Sequence, residues 1–235
     1  MDLPGHGASP GIRGLVRQPS DLTDDGVVMA QFAHSKHPTL PLILFGTSMG
    51  GAITLNVAIR CSKDKSGSFP QIATCVLIVP MLGISQANLP PVWQQSALRF
   101  LAYVAPTAAV LGSNSMDNSV QFRDPDRRKA CDDDELAYRG NLRLATACTC
   151  LDTATQLSEN FAEVDMPFLC LVAGSDVVVD PNAYKLLMEQ STTPEHQKKA
   201  IVYPEALHGL LCEPMSEREI IEKDILDWLA QFTKK

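Results

Sequence analysis

The stretch LILFGTSMGGA, residues 42–52, constrains this chain more than any other. Residues 42–46 form a continuous apolar run ending in glycine, the pattern of a buried parallel strand. The following SMGGAITLNVAIR reads as a helix that opens on small residues. Between the two lies a Gly-x-Ser-x-Gly pentapeptide, Gly46, Ser48 and Gly50. A strand that passes at once into a helix through such a pentapeptide turns sharply, with the serine at the apex. Strain falls on the serine, so both flanking positions are expected to need glycine for strand and helix to pack closely. The Ser48 hydroxyl then stands clear at a helix N-terminus, where the Met49 N–H can stabilise a developing oxyanion. An ordinary glycine-rich turn with a capping serine is the rival reading, and the wholly apolar strand ahead of it argues against that.

The rest of the chain supplies a setting for such a turn. Residues 23–35 have a helical pattern, with Val28 and Phe32 four apart and two acids near the start. ATCVLIVP, residues 73–80, is a second buried strand. From 81 to about 166 the strand rhythm stops and helical segments take over, among them NLRLATACTCLDTATQLSENF, whose Ala147, Leu151, Ala154, Leu157 and Phe161 share one face. Strands resume at 168–174 and 199–206, with a helix starting near Pro181 between them. A last helix is expected from Ser216, capped by a Ser216–Glu219 box and striped by Ile221, Ile225, Trp228, Leu229 and Phe232. Strands alternating with helices give an α/β fold with a mostly parallel sheet. We read one domain of 235 residues: a core of 1–80 and 167–235, and a helical lid insertion at about 81–166. That insertion is placed over the C-terminal edge of the strands, where such sheets bind ligands.

A serine hydroxyl is a weak nucleophile until a base removes its proton. Of five histidines, His34 and His37 lie in a polar segment and His196 in a surface turn. His208, in YPEALHGLL, falls just beyond a strand and before the last helix. The acid that orients an imidazole is sought in the loop after the preceding strand, where LVAGSDVVVDP offers Asp176 and Asp180. Asp180 precedes Pro181 and reads as a helix N-cap followed by proline at the first helical position. Asp176 has no comparable structural duty and is the better candidate. Ser48, Asp176 and His208 in this order, each at the C-terminal end of a strand, form a nucleophile–acid–base set.

Composition removes other classes. A net charge of −7 opposes a nucleic-acid partner, which needs a basic field. The densest charge run, RDPDRRKACDDDE, cancels itself and reads as a solvated loop. Seven cysteines without metal or redox spacing read as free thiols in a reducing compartment, which with the lack of a signal-like start points to the cytoplasm. No run is long enough to span a bilayer. LRFLAYVAPTAAVLG, residues 98–112, is apolar enough to line an acyl channel or to touch a lipid surface peripherally, while Arg99 and Tyr103 oppose deep burial.

The stretches DLPGHGAS, GTSMGGA, NFAEVDMPFLCLVAGSD and VYPEALHGLL together resemble the monoacylglycerol lipase and lysophospholipase-like branch of the α/β hydrolases, grouped with serine aminopeptidase-like domains. VPMLGIS and YRGNLRLATA are similar to that branch too, in particular to its plant-type members that include caffeoyl-ester hydrolases. The resemblance runs from residue 2 nearly to the end. It implies a helical lid over an acyl pocket and ester hydrolysis through an acyl-enzyme, with a small-molecule acyl ester as partner, no metal and no cofactor. By it Ser48 is the nucleophile, His208 the general base and then acid, Asp176 its orienting partner, and Met49 one oxyanion donor.

The resemblance also implies four strands ahead of the point where this sequence starts, with a His-Gly loop that gives a second oxyanion donor. His6-Gly7 is not that loop. Losing one such donor typically costs about 100- to 1000-fold in rate. It further implies that the 42–46 strand has an unpaired apolar edge, a site for self-association. Three readings stand at this point. The start is an internal methionine of a longer protein; or the chain is a short variant, weakly active or completed by a partner; or it is an inactive fragment that serves as a binding or interaction module.

Overall fold

In the computed structural model, residues 2–85, 89–111 and 117–233 are described. The first elements are α1 (Pro19–Lys36), β1 (Leu42–Thr47), α2 (Met49–Ser62) and β2 (Ile72–Ile78). Then come α3 (Val92–Val104), β3 (Ala109–Leu111), α4 (Asn118–Gln121), α5 (Pro125–Asp133), β4 (Leu142–Arg143) and α6 (Leu144–Glu159). They are followed by β5 (Phe168–Ala173), α7 (Ala183–Gln190), β6 (Lys198–Tyr203) and α8 (Met215–Thr233). The main sheet has the order β1-β2-β5-β6 with every pairing parallel. A small antiparallel ribbon, β3-β4, lies in the segment between β2 and β5. Gly112, at the end of the apolar stretch 98–112, falls outside the described residues.

Strand periodicity sorts the core into two faces. Cys75 and Leu77 of β2, and Phe168, Cys170 and Val172 of β5, pack with Ala52 and Leu55 of α2 and with Leu157 of α6. The alternate residues, Val76, Ile78, Leu169 and Leu171, pack under Ile221, Ile225 and Trp228 of α8. Because helices cover both faces, β2 and β5 tolerate unbroken apolar sequence.

β1 is different. It pairs only with β2 among the described residues, and Phe45, in register with Val76, is 50% exposed. The reading of β1 as a buried strand therefore holds for the α2 face alone, where Leu44 meets the core. The expected unpaired edge is present.

Several local expectations are corrected. The charged run read as a solvated loop contains α5: Pro125 takes a first-turn position, and the Asp124 carboxylate accepts from the Asp126 and Arg127 N–H groups. The Ser216–Glu219 capping box does not form. Helix α8 begins at Met215, the Pro214 carbonyl accepts from the Glu217 and Arg218 N–H groups, and the Ser216 hydroxyl turns to Glu217. Helix α1 starts at Pro19, four residues before the periodic apolar pattern.

The segment between β2 and β5 is mixed in character. Leu157 of α6 and Phe161 just after it belong to the core of the main sheet. Helices α4 and α5, by contrast, have no buried residue. Helix α3 buries only Leu98, against Leu144, Ala147 and Cys148 of α6. The opening loop is tied to α6 as well: Val16 N–H donates to Thr146 Oγ1 at 2.9 Å, and Thr146 Oγ1 donates to the Gly14 carbonyl at 2.8 Å. No helix among the described residues is long and apolar enough to cross a membrane.

Candidate active site

Ser48 sits between β1 and α2 at φ 54° and ψ −122°, a backbone region that side chains with a Cβ avoid at about 1–3 kcal/mol. The end of β2 holds it there. Ser48 N–H donates to the Ile78 carbonyl at 2.9 Å, and its carbonyl accepts from Met81 N–H at 3.0 Å. Val79, the next residue after β2, is strained as well, with φ 40°. Two adjacent strand ends thus carry the only non-glycine positive-φ residues among those described.

The glycine requirement differs from the pentapeptide reading. A Cβ on Gly46 would lie 2.2 Å from the Gly50 carbonyl oxygen, so this position is closed to any side chain. A Cβ on Gly50 would meet nothing within 4 Å. The glycine that lets α2 approach the end of β2 is Gly51, whose added Cβ would stand 2.7 Å from Pro80 Cβ and 2.9 Å from Pro80 Cα.

The structure brings Ser48, His208 and Asp176 into one hydrogen-bonded chain. His208 Nε2 is 2.8 Å from Ser48 Oγ, and His208 Nδ1 is 2.7 Å from Asp176 Oδ2. Asp176 and His208 are both buried, each 6% exposed. The strand ends set this up: Ser175 N–H, just after β5, donates to the Ala206 carbonyl just after β6 at 3.1 Å, so the two loops run side by side.

Asp176 has a structural duty after all. Its Oδ1 accepts from Val178 N–H at 2.7 Å and Val179 N–H at 3.2 Å, leaving Oδ2 for the imidazole. A carboxylate held on one oxygen presents the other at a fixed angle. Asp180 does what its sequence context suggests: Oδ1 accepts from Asn182 N–H at 2.9 Å, forming a turn into α7, which starts two residues later than expected. His34 and Lys36 lie in the last turn of α1, His37 caps it, and His196 sits in a short helical turn before β6.

At the start of α2 the Met49 N–H has no acceptor within the helix, as for any first-turn amide. Met49 and Ser48 together line a cavity of about 800 Å³. Ser48 and His208 open into this cavity, whose apolar wall includes Met81, Ile84, Leu98, Leu142 and Leu151. Asn118, Asp132 and Arg139 line it too and make part of it polar. Cys150 also faces it, and burial pushes this thiol up to about 11. Among the described residues no three His, Cys, Asp or Glu side chains gather as a metal site.

A parallel sheet with helices on both faces, a strained serine between strand and helix, and an acid and a histidine in the loops after β5 and β6 define an α/β hydrolase. The comparison with known proteins agrees and is more specific: the chain belongs to the family described as serine aminopeptidase, S33, whose model matches residues 1–215. The chain is 28% identical over 237 residues to caffeoylshikimate esterase of Arabidopsis thaliana, an alignment covering 100% of this chain and 69% of that one. It is 27% identical over 232 residues to monoglyceride lipase of Homo sapiens, covering 99% of this chain and 72% of that one. The crystal structure of Paleococcus ferrophilus monoacylglycerol lipase matches with a TM-score of 0.81 at 22% identity, over 98% of this chain and 82% of that one. Within the family the chain lies on the monoacylglycerol lipase-like branch, and its class is that of the serine ester hydrolases.

Proposed function

We propose that the protein hydrolyses carboxylic esters of the monoacylglycerol or lysophospholipid type through Ser48, His208 and Asp176. The observation that carries this reading is the hydrogen-bonded chain from Asp176 through His208 to Ser48, opening on a mainly apolar cavity of about 800 Å³. An acyl chain fits such a wall, and the polar part suits a small hydrophilic leaving group.

The mechanism follows from the roles of the atoms. His208 Nε2 takes the Ser48 proton as Oγ bonds to the ester carbonyl carbon. Asp176 keeps the proton on Nδ1 and stabilises the imidazolium. The carbonyl oxygen, now negative, turns toward the Met49 N–H. Collapse breaks the ester C–O bond, and Nε2–H gives its proton to the departing alcohol. Water then attacks the acyl carbon as His208 Nε2 takes its proton; the acyl–Oγ bond breaks, Nε2–H returns the proton to Ser48 Oγ, and the carboxylic acid leaves.

A fluorophosphonate probe tests this. Wild-type protein should be labelled and Ser48→Ala should not. Absence of labelling in correctly folded protein would sink the enzyme reading and favour a binding or interaction module. A second substrate class, aromatic esters of the caffeoyl type, is supported by the similarity to caffeoylshikimate esterase. A panel of monoacylglycerol, lysophospholipid, caffeoyl ester and aminoacyl amide separates these by kcat/KM.

Two partner expectations go with this reading. Helix α3, with Trp93 and Phe100 exposed, suits peripheral contact of the lid with a lipid surface. The open edge of β1 beside exposed Phe45 suits self-association. A cytoplasmic location is the accompanying expectation.

A further inference from the structure

Glu213 is the most deeply buried acid among the described residues: it is 1% exposed and lies five residues after His208. A buried carboxylate is costly unless both its oxygens are met. Oε1 accepts from Leu207 N–H at 2.7 Å. Oε2 accepts from Arg123 Nε. Arg123 comes from the segment between α4 and α5, and its side chain also reaches Glu217 Oε1 at 3.3 Å. Two residues before it, the Gln121 carbonyl accepts from Gly209 N–H at 2.7 Å. Between them Phe122 lies so close that a Cβ on Gly209 would stand 2.2 Å from its ring.

The residues on either side of His208 are therefore fixed by different parts of the chain. Leu207 is held through Glu213, and Gly209 is held by the insertion. Arg123 joins the two holds, since it neutralises Glu213 and belongs to the same three-residue segment that grips Gly209. We infer that Glu213 and residues 121–123 form a clamp that positions the His208 loop, coupling the segment between α4 and α5 to the general base. Glu213 and Arg123 are positioning residues: neither lines the cavity, and both act through the backbone that carries the imidazole. A movement of the insertion that withdraws residues 121–123 removes the Gly209 hydrogen bond and uncovers the Glu213 charge together. The inference rests on the hydrolase reading for its effect on turnover, though not for its effect on His208 geometry.

The test is a double-mutant cycle with two readouts. Arg123→Met leaves a buried charge unpaired, so it mixes lost stability with lost positioning. Arg123→Met/Glu213→Gln removes that charge while the amide oxygen still accepts from Leu207 N–H. The double variant should melt close to wild type yet keep a kcat on a p-nitrophenyl butyrate substrate reduced about 10- to 100-fold, with KM within about threefold. Arg123→Lys, which can still pair with Glu213, should recover most of the kcat. In proton NMR the low-field His208 Nδ1–H signal should shift or broaden in the double variant. It should be unchanged in Val27→Ala, a destabilising control whose side chain packs with Val57 and Cys61 in a cluster that includes no residue of the His208 loop. A folded double variant with wild-type kcat and an unmoved low-field proton overturns the clamp. A wild type with no turnover and no fluorophosphonate labelling overturns the hydrolase reading instead, and the low-field proton then decides the clamp by itself.

Discussion

Ser48 Oγ and His208 Nε2 stand 2.8 Å apart although 160 residues separate them in the chain. That contact depends on two strand ends, two loops and an acid whose carboxylate is shared. One Asp176 oxygen organises its own turn and the other holds the imidazole.

The sharing yields a ranking of the two aspartates. Asp176→Asn keeps an acceptor for the turn but can present an amide N–H to Nδ1, which favours the wrong tautomer. A loss in kcat on the order of 10⁴ is expected. Asp180→Ala removes, among the described residues, the side-chain hydrogen bond to Asn182 N–H, so kcat should stay within about threefold and stability should fall by about 1 kcal/mol. Steady-state kinetics on one soluble ester measure both. The reverse ranking would assign the acid to Asp180.

The glycines around Ser48 give a second ranking, opposite to what the pentapeptide suggests. Gly50 lies inside α2 with open space where a Cβ would go. Gly50→Ala should therefore raise stability by up to about 1 kcal/mol through helix propensity, or about 2–4 °C in Tm. Gly51→Ala drives a methyl into the backbone of Pro80 and should cost about 1–3 kcal/mol. Gly46→Ala, closed by backbone on the far side, should cost more. Thermal melts of the three variants decide; a Gly50 variant less stable than the Gly51 variant would contradict the packing described.

These cases show what the sequence could and could not reveal. Ser48, Asp176 and His208 were legible because each follows a recognisable apolar strand, and strands buried on both faces leave a continuous signal. Gly51 was not, because its constraint comes from Pro80, a residue brought to it by the sheet and not by the chain. Asp176 looked idle because its turn bonds go to the backbone of Val178 and Val179, which carry no sequence mark. The cap of α5 was hidden by charge: Asp124-Pro125 is a helix start, but the dense acids and bases around it suggested a loop. Glu213 and Arg123 lie 90 residues apart, and no local pattern links them.

Alkaline pH should weaken the fold, and the sign follows from the buried thiols. Burial pushes Cys170 up to about 12 and Cys150 up to about 11, from an ordinary value of 9.0. Cys75 is raised further by the same cause, and by the nearby Cys61. Above pH 9 the unfolded chain releases these protons while the folded protein keeps them, so the unfolded state binds fewer protons and stability falls as pH rises. Each thiol contributes up to about 1.4 kcal/mol per pH unit in that window, ending near its folded value. Urea midpoints should drop between pH 9 and pH 11, and Cys170→Ala should show a shallower drop than wild type. An equal slope in the two proteins would remove Cys170 from the account.

Helix α3 supplies the last prediction. It buries Leu98 against α6 and leaves Trp93 70%, Phe100 67% and Tyr103 87% exposed. Trp93 and Phe100 are seven residues apart and so share a face of the helix. Arg99, which at first opposes lipid contact, is turned to Asp152 of α6 at 2.6 Å, so its charge is paired with the body of the protein. An aromatic row of this kind suits the interface of a bilayer, and the helix is not long and apolar enough to cross one. Transfer of each ring from water is worth about 1.5–3 kcal/mol. Replacing both, Trp93→Ser/Phe100→Ser, should weaken co-sedimentation with phosphatidylcholine vesicles by at least about 100-fold. Neither side chain lines the cavity, so turnover of a water-soluble butyrate ester should stay within about twofold of wild type. Activity on monoacylglycerol presented in vesicles should fall with the binding. If the double variant sediments with vesicles as wild type does, α3 is not the lipid-facing surface, and its exposed aromatics require a protein partner instead.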